Sequence, residues 1–128
     1  MAERVLVVDD DPDLLDLLTD ILQSFSRSLE VTRATNGQAA IDAITRETFN
    51  LVLLDIRMPG LDGIETLGKI KAIKPGLPVL MVTGSDSGSA SEALQMGAVG
   101  YLPKPMDLRY VEHIVSVALG GSPVPAHA

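Results

Sequence analysis

Val5-Leu6-Val7-Val8-Asp9-Asp10-Asp11-Pro12 is a run of four apolar residues that ends in three carboxylates and a proline, and Leu51-Val52-Leu53-Leu54-Asp55 repeats the pattern with one carboxylate. If both runs are parallel strands of one sheet, Asp9, Asp10 and Asp55 emerge at the same edge of the molecule. Carboxylates about 4 Å apart repel by about 4 kcal/mol at an effective dielectric of 20, so three converging ones need protonation, separation or a positive partner. A divalent cation is the usual answer, and Mg²⁺ binds through one or two protein carboxylates together with phosphate oxygens. Asp11 has a simpler explanation, as the N-cap of a helix with Pro12 at its first position and Asp13 facing the helix dipole. Asp9 and Asp10 precede that helix start and are not explained by it. Asp55 taken alone would pass for a solvated loop acid.

Further along the chain, short apolar runs alternate with amphipathic segments. The runs are Val5 to Val8, Leu29 to Ala34, Leu51 to Leu54, Val79 to Val82 and Val99 to Leu102. Helical spacing is kept by Leu14, Leu18, Ile21, Leu22 and Phe25, by Ala40, Ile41 and Ile44, and by Ile64, Leu67, Ile70 and Ile73. A weaker pattern surrounds Ala90, Ala93 and Leu94, and a last one holds Leu108, Val111, Ile114, Val115 and Ala118. Asn36, Asp62-x-x-Glu65 and Asp107 read as helix starts. Five βα units with nearly continuous apolar strands predict a parallel sheet covered by helices on both faces. Crossovers are right-handed, and the ligand site of such an open sheet lies beyond the carboxyl ends of its strands.

Composition agrees with one soluble domain. The chain has 128 residues, 46% of them hydrophobic but only 3% aromatic, so aliphatic side chains must fill the core. With no cysteine, disulfides, thiol catalysis and thiolate metal ligation are excluded. A net charge of −7 argues against direct binding of nucleic acid, which needs a basic patch. Met1-Ala2-Glu3-Arg4 does not lead into a signal peptide, and no apolar stretch approaches the length of a membrane span. A cytoplasmic protein is the expectation.

The strand ends supply the parts that phosphoryl chemistry needs. Asp55 stands alone where a phosphoryl group can approach and is the candidate nucleophile. A metal held by Asp9, Asp10 and Asp55 would neutralise phosphoryl oxygens. Thr83, from Thr83-Gly84-Ser85, offers a hydroxyl, and Lys104, fixed between Pro103 and Pro105, offers a point charge. Taken singly, such a threonine is an ordinary strand residue and such a lysine a solvated one. Ser85-Asp86-Ser87-Gly88-Ser89 lacks the ending of a P-loop and reads as a loop before the fourth helix. His113 falls on the polar side of the last helix and His127 in the tail, so neither is a relay candidate.

Together, Val5 to Pro12, Leu53-Leu54-Asp55-Ile56-Arg57-Met58-Pro59-Gly60-Leu61-Asp62-Gly63, Val82-Thr83-Gly84 and Gly100-Tyr101-Leu102-Pro103-Lys104-Pro105 resemble the receiver domain of bacterial two-component response regulators. The resemblance covers about residues 4 to 119. It implies a flavodoxin-like, doubly wound (βα)5 three-layer sandwich with strand order 2-1-3-4-5. It implies that Asp55 is the phosphoacceptor, taking its phosphoryl group from a sensor histidine kinase or phosphotransfer protein. It also implies Mg²⁺ bound by Asp10 and Asp55, by Asp9 through water and by the backbone carbonyl of Arg57, with Thr83 and Lys104 on the phosphoryl oxygens. Lys104-Pro105 matches a peptide bond that is typically cis in the family.

The same resemblance makes Thr83 and Tyr101 a switch pair that reshapes the face of the fourth helix, fifth strand and fifth helix. That face would meet an output partner, an effector domain or, on phosphorylation, a second copy. Arg57 and Ser85 occupy the positions that tune phosphoryl lifetime. Such a domain is no enzyme beyond its own phosphorylation and dephosphorylation. Two other readings stand beside it. A Mg²⁺ phosphohydrolase with an aspartyl intermediate wants an Asp where Arg57 stands, and a flavin carrier wants aromatics and a hydroxyl-rich phosphate loop. Residues 3–119 are the expected domain, and 120–128, rich in Gly, Pro and Ala, the expected tail or linker stub.

Overall fold

The structure, a computed structural model, describes residues 3–25, 28–58, 62–84, 87–104 and 107–120. Among these residues five strands and five helices alternate: β1 (Glu3–Val8), α1 (Pro12–Gln23), β2 (Leu29–Ala34), α2 (Gly37–Arg46), β3 (Leu51–Asp55), α3 (Gly63–Ile73), β4 (Val79–Thr83), α4 (Ser87–Gln95), β5 (Gly100–Pro103) and α5 (Leu108–Ala118). The strands form one parallel sheet in the order β2-β1-β3-β4-β5.

Every residue of β3 and β4 is buried, because the period-two alternation of a strand must satisfy an apolar layer on each side. Leu6, Val8, Val52, Leu54, Val79 and Met81 point to the layer that holds α2, α3 and Ala93 of α4. Val5, Val7, Leu51, Leu53, Leu80 and Val82 point to the layer that holds α1 and α5. The chain leaves β1 toward β2 and then returns past β1 to β3. The carboxyl ends of β1 and β3 are therefore neighbours at the point where strand order reverses, the place where such sheets bind ligands.

The helix starts follow their caps. Side chains of Asp11, Asn36, Asp62 and Asp107 accept backbone N–H bonds from Asp13, Ala39, Glu65 and Arg109. Gly97, at φ +108°, ends α4 in the left-handed turn that lets the Ala98 N–H reach back to the Ala93 carbonyl at 3.0 Å.

Several boundaries differ from the sequence expectation. Asp55 is the last residue of β3, and β5 begins one residue later than the apolar run indicates. Ser87, Gly88 and Ser89 already belong to α4, so this stretch is helix rather than loop; Ser85 and Asp86 lie outside the described residues. Phe25 lies beyond the Ser24 cap of α1, and it packs on the core from there. Ile73 and Leu108 keep helical spacing yet are exposed; Ile73 is the last residue of α3 and Leu108 the first of α5. No helix among the described residues is long and apolar enough to cross a membrane.

Candidate functional site

Three carboxylates meet at the reversal point. Asp9 follows β1, and its N–H donates to the Ala34 carbonyl of β2 at 3.1 Å. Asp55 ends β3 in register with Val82, and the next N–H, of Ile56, donates to the Val82 carbonyl at 3.1 Å. One oxygen each from Asp9, Asp10 and Asp55 lies within 4.8 Å of the others. Asp9 and Asp55 are 1% and 4% exposed, while Asp10 faces solvent, so two of the charges sit where water cannot relieve them.

Lys104 is brought to this pair by the sheet. Thr83 pairs with Pro103, and the Lys104 N–H donates to the Thr83 carbonyl at 2.8 Å. The Lys104 ammonium stands 3.6 Å from Asp55 Oδ1 and 4.0 Å from Asp9 Oδ2. Asp55 Oδ1 also accepts the Arg57 N–H at 3.3 Å, and Asp9 Oδ1 accepts the Asp11 N–H at 2.8 Å. Asp9 Oδ2 is buried without a hydrogen-bond donor among the described residues. Burial raises the Asp9 carboxyl to about 6, with the charges of Asp55 and Asp10 adding to the rise and the Asp11 N–H and Lys104 opposing it. Asp55 is likewise raised, foremost by burial, against the pull of Lys104 and the Arg57 N–H.

This donor set fits Mg²⁺. The ligands are all hard oxygens, and Asp9 Oδ2, buried without a donor among the described residues, points to a further positive charge. A single ammonium offsets only part of the charge of three carboxylates.

The remaining sequence candidates fall as follows. Thr83 is buried at the end of β4, beside the carboxylates' edge. Tyr101 pairs with Met81 and is therefore on the same sheet face as Thr83, two residues back along the strands, with 41% of its surface exposed. The Tyr110 hydroxyl donates to the Tyr101 carbonyl at 3.4 Å and ties α5 to β5. Arg57 is exposed, and its backbone borders Asp55. Ser85, Pro105 of the Lys104-Pro105 bond, and His127 lie outside the described residues, and His113 is exposed on α5.

Sequence reasoning includes Gly63 in the motif that runs from Leu53 through Asp55 and carries the resemblance, but assigns it no role. The structure seats it against the end of β3: its N–H donates to the Ile56 carbonyl at 2.9 Å, and a Cβ there would lie 2.2 Å from the Asp55 carbonyl oxygen. A separate cleft of about 440 Å³, which includes Phe49, Lys74 and Leu77 in its lining, opens before β3 and β4, at the opposite edge of the sheet from the carboxylates.

A (βα)5 sheet with three acids and a lysine at its reversal point defines a receiver domain. Residues 5–116 match the response regulator receiver domain family, and the chain belongs to it. Among its relatives, the transcriptional regulatory protein ZraR of Klebsiella oxytoca is 42% identical over 116 residues, which are 90% of this chain and 26% of that protein. A protein-glutamate methylesterase/protein-glutamine glutaminase of Paramagnetospirillum magneticum is 38% identical over 109 residues, 83% of this chain and 29% of that one. The chain thus spans about a quarter of the length of these curated relatives, whose names give different outputs. The crystal structure of the receiver domain of NtrX from Brucella abortus superposes with a TM-score of 0.86 at 35% identity, covering 92% of this chain and 99% of that one.

Proposed function

We propose that this chain is a phosphorylation-activated switch of a two-component system that accepts a phosphoryl group onto Asp55. The observation that carries the reading is the buried Asp9–Asp55 pair, held under the Lys104 ammonium and left with an oxygen that no donor among the described residues reaches.

The carboxylate of Asp55 attacks phosphorus as the bond to the donor's leaving atom breaks, which for a histidine kinase or phosphotransfer protein is a histidine nitrogen. Lys104, already 3.6 Å from the attacking carboxylate, follows the charge onto a phosphoryl oxygen, and the Thr83 hydroxyl donates to another. Asp10 and Asp55, with Asp9 through water and the Arg57 carbonyl, are the residues that would hold Mg²⁺. When bound, Mg²⁺ neutralises phosphoryl oxygens and removes the repulsion that otherwise bars an anionic donor. Arg57, and Ser85 at the matching position after Thr83, set how readily water reaches the acyl phosphate.

The signal leaves through Thr83 and Tyr101. The hydroxyl is drawn to the phosphoryl group, and the tyrosine ring turns in behind it. Phosphorylation then biases two existing states, and moving such an equilibrium from 1:99 to 99:1 takes about 5.5 kcal/mol of differential stabilisation. The face of α4, β5 and α5 is the proposed contact for an output partner, an effector domain or a second phosphorylated copy. Its exposed Leu94, Val99, Tyr101, Leu108, Tyr110 and Val117 support that choice. Residues 3–119 form the switch, residues 120–128 serve as tail or linker, and the cytoplasm is its place. Beyond turnover of its own phosphoryl group, the domain catalyses nothing.

Incubation with acetyl phosphate tests the reading. Wild type incorporates one phosphoryl group only when Mg²⁺ is present, and Asp55→Asn incorporates none. Label retained by Asp55→Asn, or steady hydrolysis of small phosphate esters by wild type, would contradict it.

A further inference from the structure

We infer that Gly63 is the positioning residue of the phosphorylation site: by packing the first turn of α3 directly on the Asp55–Ile56 backbone, it fixes the Asp55 carboxylate and the Arg57 backbone relative to Asp9 and Asp10. The inference rests on the reading of Asp55 as the Mg²⁺-dependent acceptor.

The contact is backbone on backbone. A Cβ at Gly63 would lie 2.2 Å from the Asp55 carbonyl oxygen, 2.5 Å from Ile56 Cα and 2.8 Å from the Ile56 carbonyl oxygen. Carbon and oxygen approach no closer than roughly 3.3 Å without strain, so any side chain parts α3 from β3 by about 1 Å. No rotamer relieves this, because none of the three atoms belongs to a side chain.

The displaced segment is the one that carries the chemistry. The Arg57 N–H holds Asp55 Oδ1 at 3.3 Å, and Ile56 is locked on one side to Val82 and on the other to Gly63. The other partner in the contact is rigid too. Asp62 caps α3 by accepting the Glu65 N–H at 2.9 Å, and its carbonyl takes both the N–H and the hydroxyl of buried Thr66. The clash therefore passes to the end of β3.

Other glycines show that this is a property of the site. Among the described residues, a Cβ at Gly68, on the same helix, would meet only the Met96 terminal methyl at 3.3 Å, and one at Gly84 would meet nothing within 4 Å. Gly68→Ala is thus the control for an added methyl on α3.

Magnesium affinity, read by calorimetry and by titration of the Arg57 amide resonance, separates positioning from mere stability. It is measured on wild type, Gly63→Ala and Gly68→Ala, each shown folded by circular dichroism. Phosphoryl incorporation from acetyl phosphate at saturating Mg²⁺ is followed in parallel. Folded Gly63→Ala is expected to bind Mg²⁺ about 10- to 100-fold more weakly and to remain slow when saturated, as loss of a ligand-orienting contact does, while Gly68→Ala behaves as wild type. A folded Gly63→Ala with wild-type affinity and rate overturns the inference. If Gly63→Ala does not fold, Asp62→Ala decides, because it loosens the same helix start without added bulk. Weakened Mg²⁺ binding by folded Asp62→Ala supports positioning, and unchanged binding overturns it. A wild type that neither binds Mg²⁺ nor takes label overturns the acceptor reading itself, whereas normal wild-type behaviour shared by Gly63→Ala removes positioning alone.

Discussion

Asp9 is where burial and charge conflict most openly, and its titration gives the sharpest residue-level prediction. Its carboxyl is raised from 3.8 to about 6, so between those values the folded protein keeps a proton that the unfolded chain has released. Stability from this group is complete below 3.8 and is lost as pH rises through about 6, by at most about 3 kcal/mol. Urea unfolding in the presence of a chelator should therefore show stability falling from pH 4.5 to 7, and Asp9→Asn should flatten that fall. Mg²⁺ competes with the same protons, so its affinity should rise over that range. Lys104→Met should slow phosphorylation by about 10²-fold or more, because it removes the cation that faces both buried carboxylates; rates with acetyl phosphate at saturating Mg²⁺ check this. The carboxylates and Lys104 were legible in the sequence because each ends an apolar run, and runs of that kind point the same way in a parallel sheet. Asp9 Oδ2 was not, since an orphaned oxygen is a property of packing rather than of order along the chain.

At the scale of elements, the helix starts and the continuous strands could be read because caps and apolar runs are local signals. What escaped depends on contacts between distant segments. Gly63 ends a motif that could be quoted from the sequence, but its contact with the Asp55–Ile56 backbone shows only once α3 is laid on β3. Leu108 has the spacing of a core residue, yet it is the first residue of α5 and is 55% exposed. Ser87-Gly88-Ser89 has loop composition, and α4 includes it nonetheless, since local propensity is only a weak guide to helix starts. Exposed apolar side chains lie on α4, β5 and α5, and Tyr101 among them is in register with Met81, on the same sheet face as Thr83. Tyr101→Ala should keep phosphorylation at its wild-type rate while abolishing the phosphorylation-dependent change in partner binding or self-association. Sedimentation of the phosphorylated and unphosphorylated forms reads the second effect, and a variant that still switches would remove Tyr101 from the pathway.

The whole molecule combines a core that is complete without any ligand and an edge that is not. Both faces of β3 and β4 are buried in aliphatic layers, so Leu53→Ala should cost about 2–5 kcal/mol in urea unfolding whether or not Mg²⁺ is present. Mg²⁺ at 100 times its dissociation constant should add about 2.7 kcal/mol, visible as several degrees in Tm, and Asp55→Asn should lose most of that increment while keeping its fold. The fold keeps one oxygen each of Asp9, Asp10 and Asp55 within 4.8 Å of the others although they repel, and a bound cation is what would ready the site for an anion. The most direct test locates the phosphoryl group itself. After reaction with acetyl phosphate and Mg²⁺, borohydride reduction converts an aspartyl phosphate to homoserine, and peptide mass spectrometry reads its position. Homoserine at residue 55 and at no other acid is the predicted result; homoserine elsewhere, or an unreduced Asp55 in protein that carries label, would contradict it.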